Sequence, residues 1–130
     1  MQKTEIATRN APQSIGPYSQ AIAVGETLYC SGQIPIDPAT GNIESADVAV
    51  QARRVFENIK AVLAAAGLDF SDTVKTTVFL TDLNDFSVVN KTYGEYFDKP
   101  YPARSCVQVS ALPKGAKIEV EVVAKLRRYI

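Results

Sequence analysis

The feature that most constrains the fold lies between Val48 and Gly67. Val48, Ala52, Val55, Phe56, Ile59, Val62 and Leu63 fall on one stripe at helical spacing, with Gln51, Arg54, Glu57 and Lys60 on the opposite side. The spacing predicts an amphipathic helix. Ser45 or Asp47 caps it, and Gly67 suits the left-handed position after its last turn. A helix that is apolar on one side must lay that side on another layer.

The rest of the chain offers strands for that layer. Residues 4–8 begin as a short strand, which Asn10-Ala11-Pro12 ends. Ile15-Gly16-Pro17-Tyr18-Ser19 is a loop. Tyr18 then leads into a strand with Ala21, Ala23 and Val24 apolar, and Gly25-Glu26 turns the chain into residues 27–32. On this second strand Leu28 and Cys30 share one face, Tyr29 and Ser31 the other. Gly32 is either a plain strand end or a point of close approach to the backbone. Residues 34–42, with Pro35, Pro38 and Gly41, read as a loop.

After the long helix, residues 73–80 are rich in β-branched side chains and predict a strand. Val74, Thr76, Val78 and Leu80 face one way; Lys75, Thr77 and Phe79 face the other. Asp82 or Asn84 caps a second helix with Phe86, Val89, Tyr93 and Phe97 on its stripe. Asn90 sits at the edge of that stripe, readable as a surface amide or as part of a pocket rim. Residues 102–109 form a strand that Pro102 can only open, because it has no N–H for the ladder. Leu112-Pro113-Lys114-Gly115 is a turn, and residues 117–126 alternate as the last strand. The order β-β-β-α-β-α-β-β predicts an α+β sheet with both helices on one face. Residues 1–130 read as a single domain, long enough to bury about two-thirds of its surface.

Composition narrows the chemistry. Lysine plus arginine equals aspartate plus glutamate at 14 each, so no net positive field draws the chain to nucleic acid or anionic membrane. No run is long and apolar enough to span a bilayer, and the mixed charges of residues 1–13 do not form a secretory leader. A cytoplasmic location with free Cys30 and Cys106 is the expectation. The sequence has no histidine, which excludes histidine-based triads and deprives metals of their commonest ligand.

Arg104 is the residue to explain. It alternates with Ser105 and Val107 and shares its side of the strand with Cys106 and Gln108. Parity puts Arg104, Cys106, Glu119, Glu121, Val123, Phe79 and Tyr29 or Ser31 together on the face away from the helices. Such a mixed face suits a subunit interface with polar pockets. There Arg104 and Glu119 are either an ion pair or a two-part site. In such a site the guanidinium forks around a small carboxylate while the acid orients water.

Five motifs in order resemble the RidA (YjgF) family. They are Ile15-Gly16-Pro17-Tyr18-Ser19, Ser31-Gly32-Gln33-Ile34-Pro35, Lys75-Thr76-Thr77-Val78, Pro102-Ala103-Arg104-Ser105 and Ile118-Glu119-Val120-Glu121. The resemblance runs from about Ile6 to Arg127. It implies a chorismate-mutase-like α+β fold, a mixed six-stranded sheet with two helices on one face, assembled as a homotrimer with sites between subunits. It implies cofactor-free, metal-free hydrolysis of 2-iminobutanoate and 2-iminopropanoate to 2-oxoacids and ammonia. Carried over, Arg104 holds the substrate carboxylate and Glu119 works with the attacking water. The Cys106 backbone carbonyl helps place that water, and Tyr18, Ser31, Gly32 and Asn90 line the pocket. The alternatives are a regulatory module sensing small carboxylates and a ribonuclease or translation inhibitor.

Overall fold

A computed structural model describes residues 2–128. Ten regular elements follow one another: β1 (Thr4–Ile6), β2 (Ala21–Val24), β3 (Thr27–Cys30), β4 (Ile36–Asp37), β5 (Asn42–Ile43), α1 (Val48–Ala65), β6 (Thr73–Leu80), α2 (Phe86–Tyr96), β7 (Ala103–Gln108) and β8 (Ile118–Lys125). One sheet has the order β1-β2-β3-β8-β6-β7. All its pairs are antiparallel except β6 with β7, which the α2 crossover makes parallel. Both helices pack on one face of this mixed sheet, as expected.

The core fills the space between the layers. α1 contributes Ala52, Val55, Phe56, Ile59, Val62 and Leu63, each at most 2% exposed. β8 answers with Ile118, Val120, Val122 and Ala124, and β6 with Val78 and Leu80. Phe56 stacks on Tyr96 at 5.0 Å and meets Phe97 edge-on at 6.0 Å, which ties the two helices together. Gly67 has φ 74°, the left-handed residue that ends α1. Asp47 is the N-cap residue of α1, with no side-chain cap bond. The Asp82 carboxylate accepts from the Asn84 N–H and starts a single 3-10 turn before α2.

Several expectations needed correction. The segment read as a loop holds a two-stranded ribbon, Ile36 opposite Ile43 and Asp37 opposite Asn42, closed by Gly41 at φ 76°. Its strands are two residues long, too short to show a period. Gln51 is not on the solvent side of α1 but 3% exposed. Its amide donates to the Ser45 carbonyl and accepts from the Lys117 N–H, so the polar atoms are satisfied inside. Val74 does not face the core. The β6–β8 register shifts between Thr73 and Lys75, and this bulge turns Val74 out to 49% exposure while Thr73 takes the buried place.

Candidate active site

The fold brings the expected site residues together in two groups, on opposite faces of the sheet. Arg104 stands beside Thr76 on the β6–β7 ladder, and Thr76 is fully buried beneath α2. Arg104 therefore lies on the helix side. Glu119 stands beside Phe79 on the β6–β8 ladder, between Ile118 and Val120, whose side chains point into the core. Its carboxyl therefore lies on the other side. The expectation that Arg104, Cys106 and Glu119 share the helix-free face is wrong for Arg104 and Cys106. β7 and β8 are not neighbours; β6 separates them, and positions 76 and 79 differ by an odd number.

The first group is built on one face of α2. Phe86, Asn90 and Tyr93 project from successive turns toward Arg104. Arg104 Nη1 donates to Asn90 Oδ1 at 2.8 Å. The guanidinium carbon lies 4.7 Å from the Tyr93 ring centroid and 5.4 Å from that of Phe86. Tyr93 is fixed in turn, its hydroxyl 2.9 Å from Thr76 Oγ1 in the buried layer. Arg104 itself is exposed and, among the described residues, makes no ion pair. An arginine has five N–H donors, so most of this one's capacity faces an open cleft of about 460 Å³ lined also by Gly94, Tyr101 and Pro102.

Cys106 sits two residues along, beside Val78, with its thiol packed against the core edge. Burial raises the thiol pKa, and the nearby Arg104 charge only partly offsets this. It is not an activated thiolate. The other thiol, Cys30, is pushed up to about 12 by burial and is likewise inert. The Val109 N–H donates to the Leu80 carbonyl at 2.8 Å. Alternation along an extended strand then turns the backbone groups of Arg104, Cys106 and Gln108 to the open edge of the sheet. The Cys106 carbonyl is free to accept there.

The second group surrounds Glu119. Gln33 and Val120 exchange backbone hydrogen bonds of 2.8 and 3.1 Å, which lays Gly32 against the Glu119 carboxyl. A Cβ at position 32 would collide with Glu119 Oε2 and come within 2.8 Å of its Cδ. Only glycine leaves the carboxyl its place. Ser31 Oγ donates to the Ser19 carbonyl at 2.6 Å and so fixes the Tyr18 loop over the site. A cavity of about 360 Å³ opens beside Glu119, lined by Tyr18, Ser31, Gly32 and the apolar Ile15, Ile34 and Pro113. Burial first, and the Glu121 charge second, raise the Glu119 pKa.

Phe86 and Tyr93 were expected only as core. Their spacing with Asn90 carried the missed signal: positions 86, 90 and 93 form one helical face, and an amide between two rings on that face needs a polar partner, here Arg104. Among the described residues no group of three or more His, Cys, Asp or Glu side chains could hold a metal ion, and no helix is long and apolar enough to cross a membrane.

The chain is thus a two-helix α+β protein with an arginine cleft on one face of its sheet and an acid-bearing cavity on the other. Known proteins specify it further. The family model described as Endoribonuclease L-PSP matches residues 8–126. The 2-iminobutanoate/2-iminopropanoate deaminase of Escherichia coli K12 is 54% identical over 130 residues, covering 98% of this chain and 100% of that protein. Among solved structures, a protein of the conserved Rid family from Yersinia pestis superposes with TM-score 0.94 at 52% identity, covering 96% of this chain and 100% of that one. E. coli TdcF with bound serine superposes with TM-score 0.89 at 50% identity, covering 94% and 98%. The chain belongs to the RidA (endoribonuclease L-PSP) family.

Proposed function

We propose that the protein hydrolyses small 2-imino acids, 2-iminobutanoate and 2-iminopropanoate among them, to 2-oxoacids and ammonia. The observation that carries this reading is the Arg104 guanidinium, held in place by Asn90 with most of its N–H donors free. A free, oriented fork is what a small carboxylate needs. The E. coli relative named for this deamination and the relative with bound serine, itself a small carboxylate, support it.

The two groups lie on opposite faces of one chain, so a complete site needs two copies. Arg104, Asn90 and the Cys106 carbonyl come from one subunit, and Glu119, Gly32, Ser31 and Tyr18 from the next. Three copies in a ring give three equivalent sites, a closed arrangement that leaves no unpaired half. The partly apolar sheet face, with Tyr29 at 53% and Val107 at 42% exposure, is the surface for the contact.

In this site Arg104 binds the carboxylate and orients the adjacent C=N carbon. Glu119 accepts a proton from water as the water oxygen bonds to that carbon and the C=N π electrons move to nitrogen. The Cys106 carbonyl accepts the second water hydrogen. Glu119 returns its proton to nitrogen, giving a neutral carbinolamine. Glu119 then takes the hydroxyl proton and passes it to the same nitrogen, so that the C–N electron pair leaves with ammonia as the C=O bond of the 2-oxoacid forms. The residues themselves supply the proton relay.

The test is ammonia and 2-oxobutanoate release from freshly generated 2-iminobutanoate. The wild-type protein accelerates it, and Arg104→Ala lowers kcat/KM by about a hundredfold or more, the worth of two charge-assisted hydrogen bonds. Equal rates for both proteins would overturn the clamp. The family's endoribonuclease description carries a second reading. RNA cleavage by the same preparation, lost in Arg104→Ala while imine hydrolysis is absent, would favour it. A chain with no net charge and no histidine is poorly equipped for RNA.

A further inference from the structure

An arginine on an exposed edge strand is normally loose, because its long side chain has many rotamers. Arg104 is not loose. Asn90 Oδ1 fixes the guanidinium within its plane, and the Tyr93 and Phe86 rings lie against it at 4.7 and 5.4 Å. The Tyr93 ring is anchored below. Its hydroxyl meets Thr76, and the ring packs 4.4 Å from Phe97 and 5.8 Å from Phe56. The orientation of Arg104 is thus referred through Tyr93 to the buried core.

We infer that Tyr93 and Phe86 are positioning residues for Arg104, an aromatic shelf that holds the guanidinium plane so that its fork meets a carboxylate already aligned. The inference rests on the clamp role of Arg104 given above and extends it to the residues beneath. A positively charged planar group is attracted to the negative faces of both rings. The attraction does not compete with the ligand, because a ring face attracts the charge without taking up the N–H donors that a carboxylate needs. Without the shelf the fork must be ordered at each binding event, which weakens binding more than it slows a bound substrate.

The test is direct binding of 2-oxobutanoate to the assembled protein, measured by calorimetry, alongside KM and kcat for imine hydrolysis. Phe86→Leu and Tyr93→Leu raise Kd and KM by about 3- to 30-fold, with a much smaller change in kcat. Phe86→Tyr, which keeps a ring, stays within about twofold of wild type. Val62→Ala is the control for lost core packing: Val62 is buried on α1, the helix that carries none of these residues, so this change lowers Tm without moving Kd. Unchanged Kd in both leucine variants would overturn the shelf, as would an equal weakening in Val62→Ala. The shelf and the reaction can fail separately. If 2-oxobutanoate binds and the leucine variants weaken it while no ammonia is released, the shelf stands and the deaminase reading falls. If the wild-type protein binds no 2-oxobutanoate, the shelf falls with the clamp.

Discussion

Glu119 is held in an awkward place. Its carboxyl is half-buried beside Glu121, and both burial and that like charge favour the protonated form. Its folded pKa lies above the unfolded value, so stability is full at low pH and is lost as pH rises through the folded pKa. Glu119→Gln removes the buried charge. Its Tm exceeds that of wild type at neutral pH, and the gap closes in acid; a Tm that falls in the variant at all pH values would contradict this. The same shift moves the acid limb of activity. Glu119 must be ionised to accept a proton from water, so the acid limb of kcat/KM lies at higher pH than an unperturbed glutamate would give. Glu119→Gln lowers kcat by about 10²- to 10⁴-fold, the usual worth of general base help. Gly32→Ala strikes the same group from outside. The added methyl meets the far end of a flexible side chain, so the fold survives while the carboxyl is displaced. Circular dichroism stays that of wild type, and kcat drops toward the Glu119→Gln value. Retained kcat would show that Glu119 does not act from its observed position.

At the scale of elements, the long periods were readable and the short exceptions were not. The stripes of α1 and α2 and the alternation of β8 gave both layers directly, because each repeats its pattern over two turns or more. The bulge at Val74 left no trace in the period, since a valine there looks like any other core valine of β6. Leu80→Ala costs about 2–5 kcal/mol, whereas Val74→Thr stays within about 0.5 kcal/mol, as read from urea unfolding. Comparable losses at both positions would contradict the bulge. The candidate site was legible as residues but not as geometry. Arg104, Glu119, Gly32 and Asn90 stood out by chemistry and by resemblance. Their sides of the sheet depended on strand order, and β6 inserts between β7 and β8 without any local sign of it. The rings under Arg104 were hidden by their own apolar character, which reads as core and in part is core.

For the molecule as a whole, the proposed reaction asks of the separation of Arg104 from Glu119 that the site be shared between chains. Under that proposal the β7 edge, with the Arg104, Cys106 and Gln108 backbone turned outward, meets the face bearing Glu119 of another copy. The most direct measurement is complementation between two inactive variants. Arg104→Ala keeps Glu119, and Glu119→Gln keeps Arg104. Each protein alone is expected to be nearly inactive. Co-expressed so that mixed trimers form, they pair an intact Arg104 with an intact Glu119 at one interface of each mixed ring. Random assembly then restores about a quarter of the wild-type sites. Activity near that level is the predicted result. Mixed assemblies as inactive as the two parents would contradict a site shared between chains.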